Sequence, residues 1–178
     1  MNPEHTLRTP LTEDDLRLLR DVYRATDGWA ALKGRMQSTL PNIYPLAEGF
    51  VDSIMAALYG DLPPENGGER AQLSVADRER CIVAVLAARG ADFNLALHMY
   101  IALMEGISPS EIAHILLLSG VYTGVDNFTN ALGAAVKLFV RLAKAAAEAR
   151  QGDPMVSLTA DKMFECIKET FELAVARG

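Results

Sequence analysis

Along most of the chain apolar residues recur at the three-to-four-residue spacing of a helix, and no stretch alternates as a strand does. Thr12, with Asp15 at the capping-box position, opens a first helix that runs to about Thr26 and stops at Gly28. A second, short helix follows Trp29, and Pro41 and Pro45 bracket a break. Leu46, Phe50, Ile54 and Leu58 then recur at helical spacing until Gly60. Asp61 to Gln72, which holds Pro63, Pro64, Gly67 and Gly68, reads as a loop that separates an N-terminal arm from a denser C-terminal part. Ser74 with Asp77 starts the next helix, which ends near Gly90, and Asp92 can cap another that ends at Gly106. Ser108, Pro109 and Glu111 form the strongest start signal, a capping box with proline at the first helical position. That helix ends around Tyr122 to Gly124. Asp126 or Asn127 begins a long helix through Ala147, closed by Gly152, and Thr159 begins the last. The fold class is therefore all-α, in one domain spanning 1–178.

The three helices between Ser74 and Gly124 are apolar on nearly every face, whereas the long one after them is amphipathic. Helices without a polar face are covered on all sides. In a chain of 178 residues, three of them need other helices or another subunit over them, which predicts buried central helices and a homo-oligomer with an apolar interface.

Half of the residues are apolar, enough for one core without staples. The net charge of −6 comes from scattered acidic residues with no Lys/Arg cluster, which argues against nucleic acid and membrane surfaces as partners. Cys81 and Cys166 lie far apart and read as two reduced, buried thiols rather than a disulfide. No apolar run approaches the roughly 20 residues of a membrane span, and Met1 to Pro10 lacks the apolar region of a secretory signal. The expected compartment is the cytoplasm. His5, His98 and His114 form no cluster of the kind a metal needs.

Residues 78–124 read RERCIVAVLAARGADFNLALHMYIALMEGISPSEIAHILLLSGVYTG. An acidic residue opens an apolar helix, His98 sits in LxxHxxxAxxxG, a Ser-Pro-x-Glu-Ile start follows, and Tyr-x-Gly closes the segment. This resembles the carboxymuconolactone decarboxylase and alkylhydroperoxidase D superfamily, with 1–60 as an N-terminal helical arm and 73–150 as the family core. In the alkylhydroperoxidase D members a glutamate precedes a CxxC pair and a histidine one helical turn beyond it. Carried over, Glu79 takes the glutamate position and His98 the histidine position, but the cysteine positions fall on Ala91 and Asn94. Neither can become a thiolate, so the peroxidase reading is disfavoured. The decarboxylase branch lacks the pair too, and its frame corresponds to His98, Gly106, Tyr122 and Gly124. His114 stands where many members have an acidic residue, which puts the substrate in question.

The resemblance implies a cofactor-independent lyase acting on a small lactone or carboxylate, with no metal, nucleotide or organic cofactor. A carboxylate leaves as carbon dioxide, electrons flow into the lactone carbonyl, and the dienolate is protonated on carbon. His98 would deliver the proton, Glu79 orient His98, Tyr122 donate a hydrogen bond to the enolate oxygen, and Asn94 form a polar wall of the substrate site. Each residue also has a plainer reading. His98 could be a hydrogen-bonded core histidine, Glu79 a solvated carboxylate between Arg78 and Arg80, Tyr122 a packing residue, and His114 a surface or interface residue. The whole protein could equally be a ligand-binding oligomer without turnover.

Overall fold

The structure is a computed structural model that describes residues 9–43 and 73–175. Among these the chain is entirely helical. In order the helices are α1 (Glu13–Ala25), α2 (Gly28–Ile43), α3 (Val75–Arg89), α4 (Asp92–Met104), α5 (Pro109–Thr123), α6 (Val125–Ala149), the single turn α7 (Pro154–Ser157) and α8 (Ala160–Val175). The helix expected over 46–60 and the loop 61–72 lie outside the described residues. No described helix is long and apolar enough to cross a membrane.

Local chemistry sets most of the boundaries. Thr12 and Asp15 form the full capping box of α1, each side chain bonded to the other residue's backbone N–H. Ser74 Oγ accepts from Asp77 N at 3.1 Å, and Gly90 closes α3 in the left-handed conformation, φ 66°. Ser108 Oγ likewise accepts from Glu111 N, with Pro109 in the first turn. The Glu111 carboxylate does not return to Ser108; it accepts instead from Arg80 Nε at 2.7 Å and ties the start of α5 to α3. Three boundaries differ from those expected. Asp92 is the first residue of α4 rather than its cap, and α6 begins at Val125 directly after Gly124, whose φ of 104° turns the chain between α5 and α6 without a side-chain cap. Helix α2 continues through Pro41 to Ile43.

Helix α4 is the centre of the molecule. It packs against α3, α6, α8 and α1, and nine of its thirteen residues are buried. Tyr100 meets Tyr23 of α1 edge to face, with ring centroids 6.1 Å apart, and Phe93 meets Phe164 of α8 in the same way at 5.8 Å. Arg20 Nε of α1 donates to the Leu103 carbonyl at 2.7 Å, satisfying one of the carbonyls left open at the end of α4. Helix α3, beside α4, and helix α5, which packs on α3 and α6, bury less. Only Glu79, Val83 and Ala87 of α3 are buried, at four-residue spacing, and only Pro109, Ile112, Leu116 and Gly120 of α5. Gly120 allows the close approach of α6, because a Cβ there would lie 2.4 Å from Phe128 Cβ.

Candidate functional site

Glu79 lies in the second turn of α3, in phase with Val83 and Ala87, so its side chain points with theirs towards the core. It has no solvent exposure. The plain reading of a solvated carboxylate between two arginines does not hold, because both arginines are directed elsewhere. Arg80 bonds Asp77 and Glu111, and Arg78 Nη2 donates to the Leu73 carbonyl at 3.0 Å. Between Asp92 and the C-cap Glu105, α4 carries two ionisable side chains, His98 and the Tyr100 phenol. His98 Nδ1 lies 2.9 Å from Glu79 Oε2, and the His98 side chain is 14% exposed. The short connection at Gly90 and Ala91 turns α3 back along α4, which brings two residues nineteen apart into direct contact.

This contact fixes the imidazole. An ionised carboxylate only accepts, so with Glu79 ionised Nδ1–H is the donor and Nε2 carries the lone pair. A carboxylate behind a histidine holds its ring orientation and its tautomer. The other carboxylate oxygen, Oε1, is buried and has no hydrogen-bond partner among the described residues. A buried acceptor of this kind is costly to leave open, so it marks a place where a donor is favoured.

Glu105, the C-cap residue of α4, stands two turns beyond His98 on the same side of the helix. Burial and the charge of Glu79 together raise its carboxyl above the ordinary carboxylate range, against the opposing pull of Arg24. A second carboxyl group thus lies within electrostatic reach of the Glu79 carboxylate. Sequence reasoning missed Glu105, although its seven-residue spacing from His98 was a usable signal.

The other expected site residues are placed differently. Tyr122 is 84% exposed. The buried face of α5 passes through Leu116 and Gly120, and two residues further on a helix turns the side chain roughly 200° away. The phenol therefore faces out, and no hydrogen bond joins it to Glu79 or His98. Asn94 is exposed one turn before His98, with Ala91 half-buried a turn earlier still. His114 is exposed on α5. Met99 and Met104 are core residues. Cys166 is buried, and burial raises its thiol, but Cys81 is exposed rather than buried because it lies opposite the Glu79–Val83 face of α3. Among the described residues no group of three or more His, Cys, Asp or Glu side chains could hold a metal. A surface groove of about 670 Å³ lies elsewhere, between α1 and α6, and its charged lining includes the Asp15–Arg150 pair at 2.7 Å.

No curated protein and no solved structure gives a significant match to the chain. The carboxymuconolactone decarboxylase family model does match, over residues 53–137, a span that contains Glu79, Asn94, His98 and Tyr122. The histidine and the acidic residue of the resembling segment, which are in direct contact, both lie inside the matched span, so this part of the chain is similar to the carboxymuconolactone decarboxylase family.

Proposed function

We propose that the Glu79–His98 pair handles the proton in a cofactor-independent, lyase-type reaction, decarboxylation or proton transfer on a small lactone or carboxylate. The observation that carries this reading is the 2.9 Å contact between a fully buried carboxylate and an imidazole that retains some access to solvent. In decarboxylation the bond between the ring carbon and the carboxylate breaks and carbon dioxide leaves. The electron pair passes through the conjugated system to the lactone carbonyl oxygen, and the dienolate then takes a proton on carbon. In its protonated form, with Nδ1–H held by Glu79, His98 supplies that proton from Nε2 and is reprotonated from solvent. Asn94, exposed one turn away, is positioned to take a polar group of the substrate. Tyr122 donates to no substrate at this pair from within the same chain, given its exposure.

The test is carbon dioxide release from a panel of small lactone acids, run in heavy water so that the carbon-bound proton is read as deuterium. His98→Gln should lower kcat by about 10²–10⁴, the usual range for a general acid–base group. Glu79→Gln, which acts through His98, should cost about 10–100-fold and shift the pH profile. Full activity in His98→Gln would sink the assignment. Binding of these acids by the wild-type protein without turnover would establish the ligand-binding reading instead. Dithiol-dependent reduction of hydroperoxides is not expected, since Ala91 and Asn94 stand where thiols would be needed and the Cys166 thiol is raised by burial.

A further inference from the structure

The groove between α1 and the end of α6 holds about 670 Å³, within the range of roughly 300–1,000 Å³ that small-molecule sites occupy. Each helix lines it with one stripe. On α1, Leu18 and Asp21 follow Asp14 by four and seven residues, and on α6 Ala147 and Arg150 follow Ala143 at the same spacing. The short side chains of Ala143 and Ala147 leave the space open, and with the half-buried Leu18 they form its apolar lining. The charges around it fall into pairs with one remainder. Arg17 bonds Asp14 on its own helix at 2.6 Å, and Arg150 bonds Asp15 at 2.7 Å. Asp15 is 5% exposed and fully engaged, because Oδ2 accepts from the backbone and the hydroxyl of Thr12 while Oδ1 accepts from Arg150 Nη2. The Arg150 guanidinium is thus fixed through one N–H, and its remaining donors have no partner among the described residues. Asp21 has no hydrogen bond or ion pair among the described residues. It stands six residues beyond Asp15, about 9 Å along α1.

We infer that this groove binds a small zwitterion, an ω-amino carboxylic acid of about six carbons, with its carboxylate on Arg150, its ammonium on Asp21 and its methylene chain against Leu18, Ala143 and Ala147. Charge complementarity selects this class. A simple carboxylic acid would satisfy Arg150 but meet the Asp21 carboxylate in a chain of net charge −6. A simple amine would satisfy Asp21 and leave the donors of Arg150 open. One molecule with both charges meets both ends, and its apolar middle lies on the apolar lining. Length is set by the same geometry. An extended chain gains about 1.2 Å per bond, so the five methylenes of such an acid hold its charges roughly 7 Å apart, of the same order as the separation along α1. A fixed guanidinium favours binding further, since Asp15 has already ordered it before a ligand arrives. The site goes beyond the proton-transfer reading, and none of it depends on Glu79 or His98.

Titration of the full chain with 6-aminohexanoate, followed by NMR, should show saturable binding with a Kd on the order of 1 mM. Hexanoate and hexylamine, each lacking one charge, should bind at least about tenfold more weakly, and so should 4-aminobutanoate, whose charges stand too close together. The methyl signals of Leu18, Ala143 and Ala147 should shift while the ring signals of His98 stay in place, which separates this site from the proton-transfer site. Asp21→Asn should weaken binding about tenfold or more. Glu13→Gln, the same change of charge at an exposed position of α1 outside the groove, should leave it unchanged. Ala147→Phe fills the groove and should abolish binding with helicity unchanged; should that variant fail to fold, Asp21→Asn at its exposed position still decides the matter. Absence of saturation at about 20 mM 6-aminohexanoate would overturn the inference. So would hexanoate or hexylamine binding as tightly, undiminished binding in Asp21→Asn, or shifts confined to His98.

Discussion

Helices α4 and α5 are nearly alike as sequences. Both are almost without charge, apolar on every side and of similar length, yet α4 buries nine of thirteen residues and α5 only four of fifteen. The difference lies in what surrounds them. Helix α4 is enclosed by α1, α3, α6 and α8, whereas α5 rests on α3 and α6 and has nothing over its outer side among the described residues. Polar groups follow the same division. His98 on α4 has a buried carboxylate as its partner, and His114 on α5 is exposed. Hydrophobicity on all sides thus states that a helix is to be covered, not which chain covers it. It also makes a polar residue inside the enclosed helix the more informative one.

The largest effects should separate the two helices directly. Ile101→Ala removes a fully buried side chain from α4 and should cost about 2–5 kcal/mol in urea unfolding. Leu118→Ala on α5, 60% exposed, should change stability by no more than about 0.5 kcal/mol. Equal costs would show that α5 is enclosed as α4 is and would erase the contrast. Gly120→Ala examines the one side of α5 that is packed. The added Cβ would meet Phe128 Cβ at 2.4 Å, so helix α6 must shift, at about 1–3 kcal/mol, despite alanine's higher helix propensity.

The helix boundaries were legible because caps are local. Thr12, Ser74, Ser108 and Gly90 act through atoms within one turn, and the structure uses all four. The starts of α4 and α6 were less legible, since Ala91 and Gly124 make no side-chain cap and the nearby Asp92 and Asn127 imitated one. Helix rotation was the hardest to read. An amphipathic helix announces its inner face, but α3 and α5 do not, so Cys81 was placed inside and Tyr122 at the site when both point outward. The Glu79–His98 contact came from the family pattern. The local sequence Arg-Glu-Arg by itself suggests a solvated carboxylate, and only the redirection of Arg78 and Arg80 frees Glu79 to turn in.

Glu105 offers a smaller, pH-dependent test of the enclosed helix. Its folded pKa is raised above the unfolded value, so it favours the folded state only while protonated, below the ordinary carboxylate range, and that contribution is lost as the pH rises through the folded pKa. At neutral pH the ionised group is a liability beside Glu79. Glu105→Gln should therefore raise the Tm at pH 7 by at most about 2–4 °C, and the gain should vanish in acid. A gain that persisted at low pH would mean that packing rather than charge is responsible.

The smallest effect compares one residue type on the two helices. Tyr100 on α4 is fully buried, and its hydroxyl has no hydrogen-bond partner among the described residues. Burial, with smaller contributions from Tyr23 and Cys166, raises its phenol well above the usual range, so it should stay protonated until the protein unfolds in alkali. An unpaired buried hydroxyl costs stability that its removal restores, and phenylalanine keeps the ring that meets Tyr23 edge to face. Tyr100→Phe should thus be neutral or stabilising by up to about 1 kcal/mol in urea unfolding. Tyr122→Phe should leave stability unchanged, since that ring faces solvent. A loss of 1–2 kcal/mol in Tyr100→Phe would reveal a hydrogen bond to that hydroxyl, and the core of α4 would then hold a second polar anchor besides Glu79 and His98.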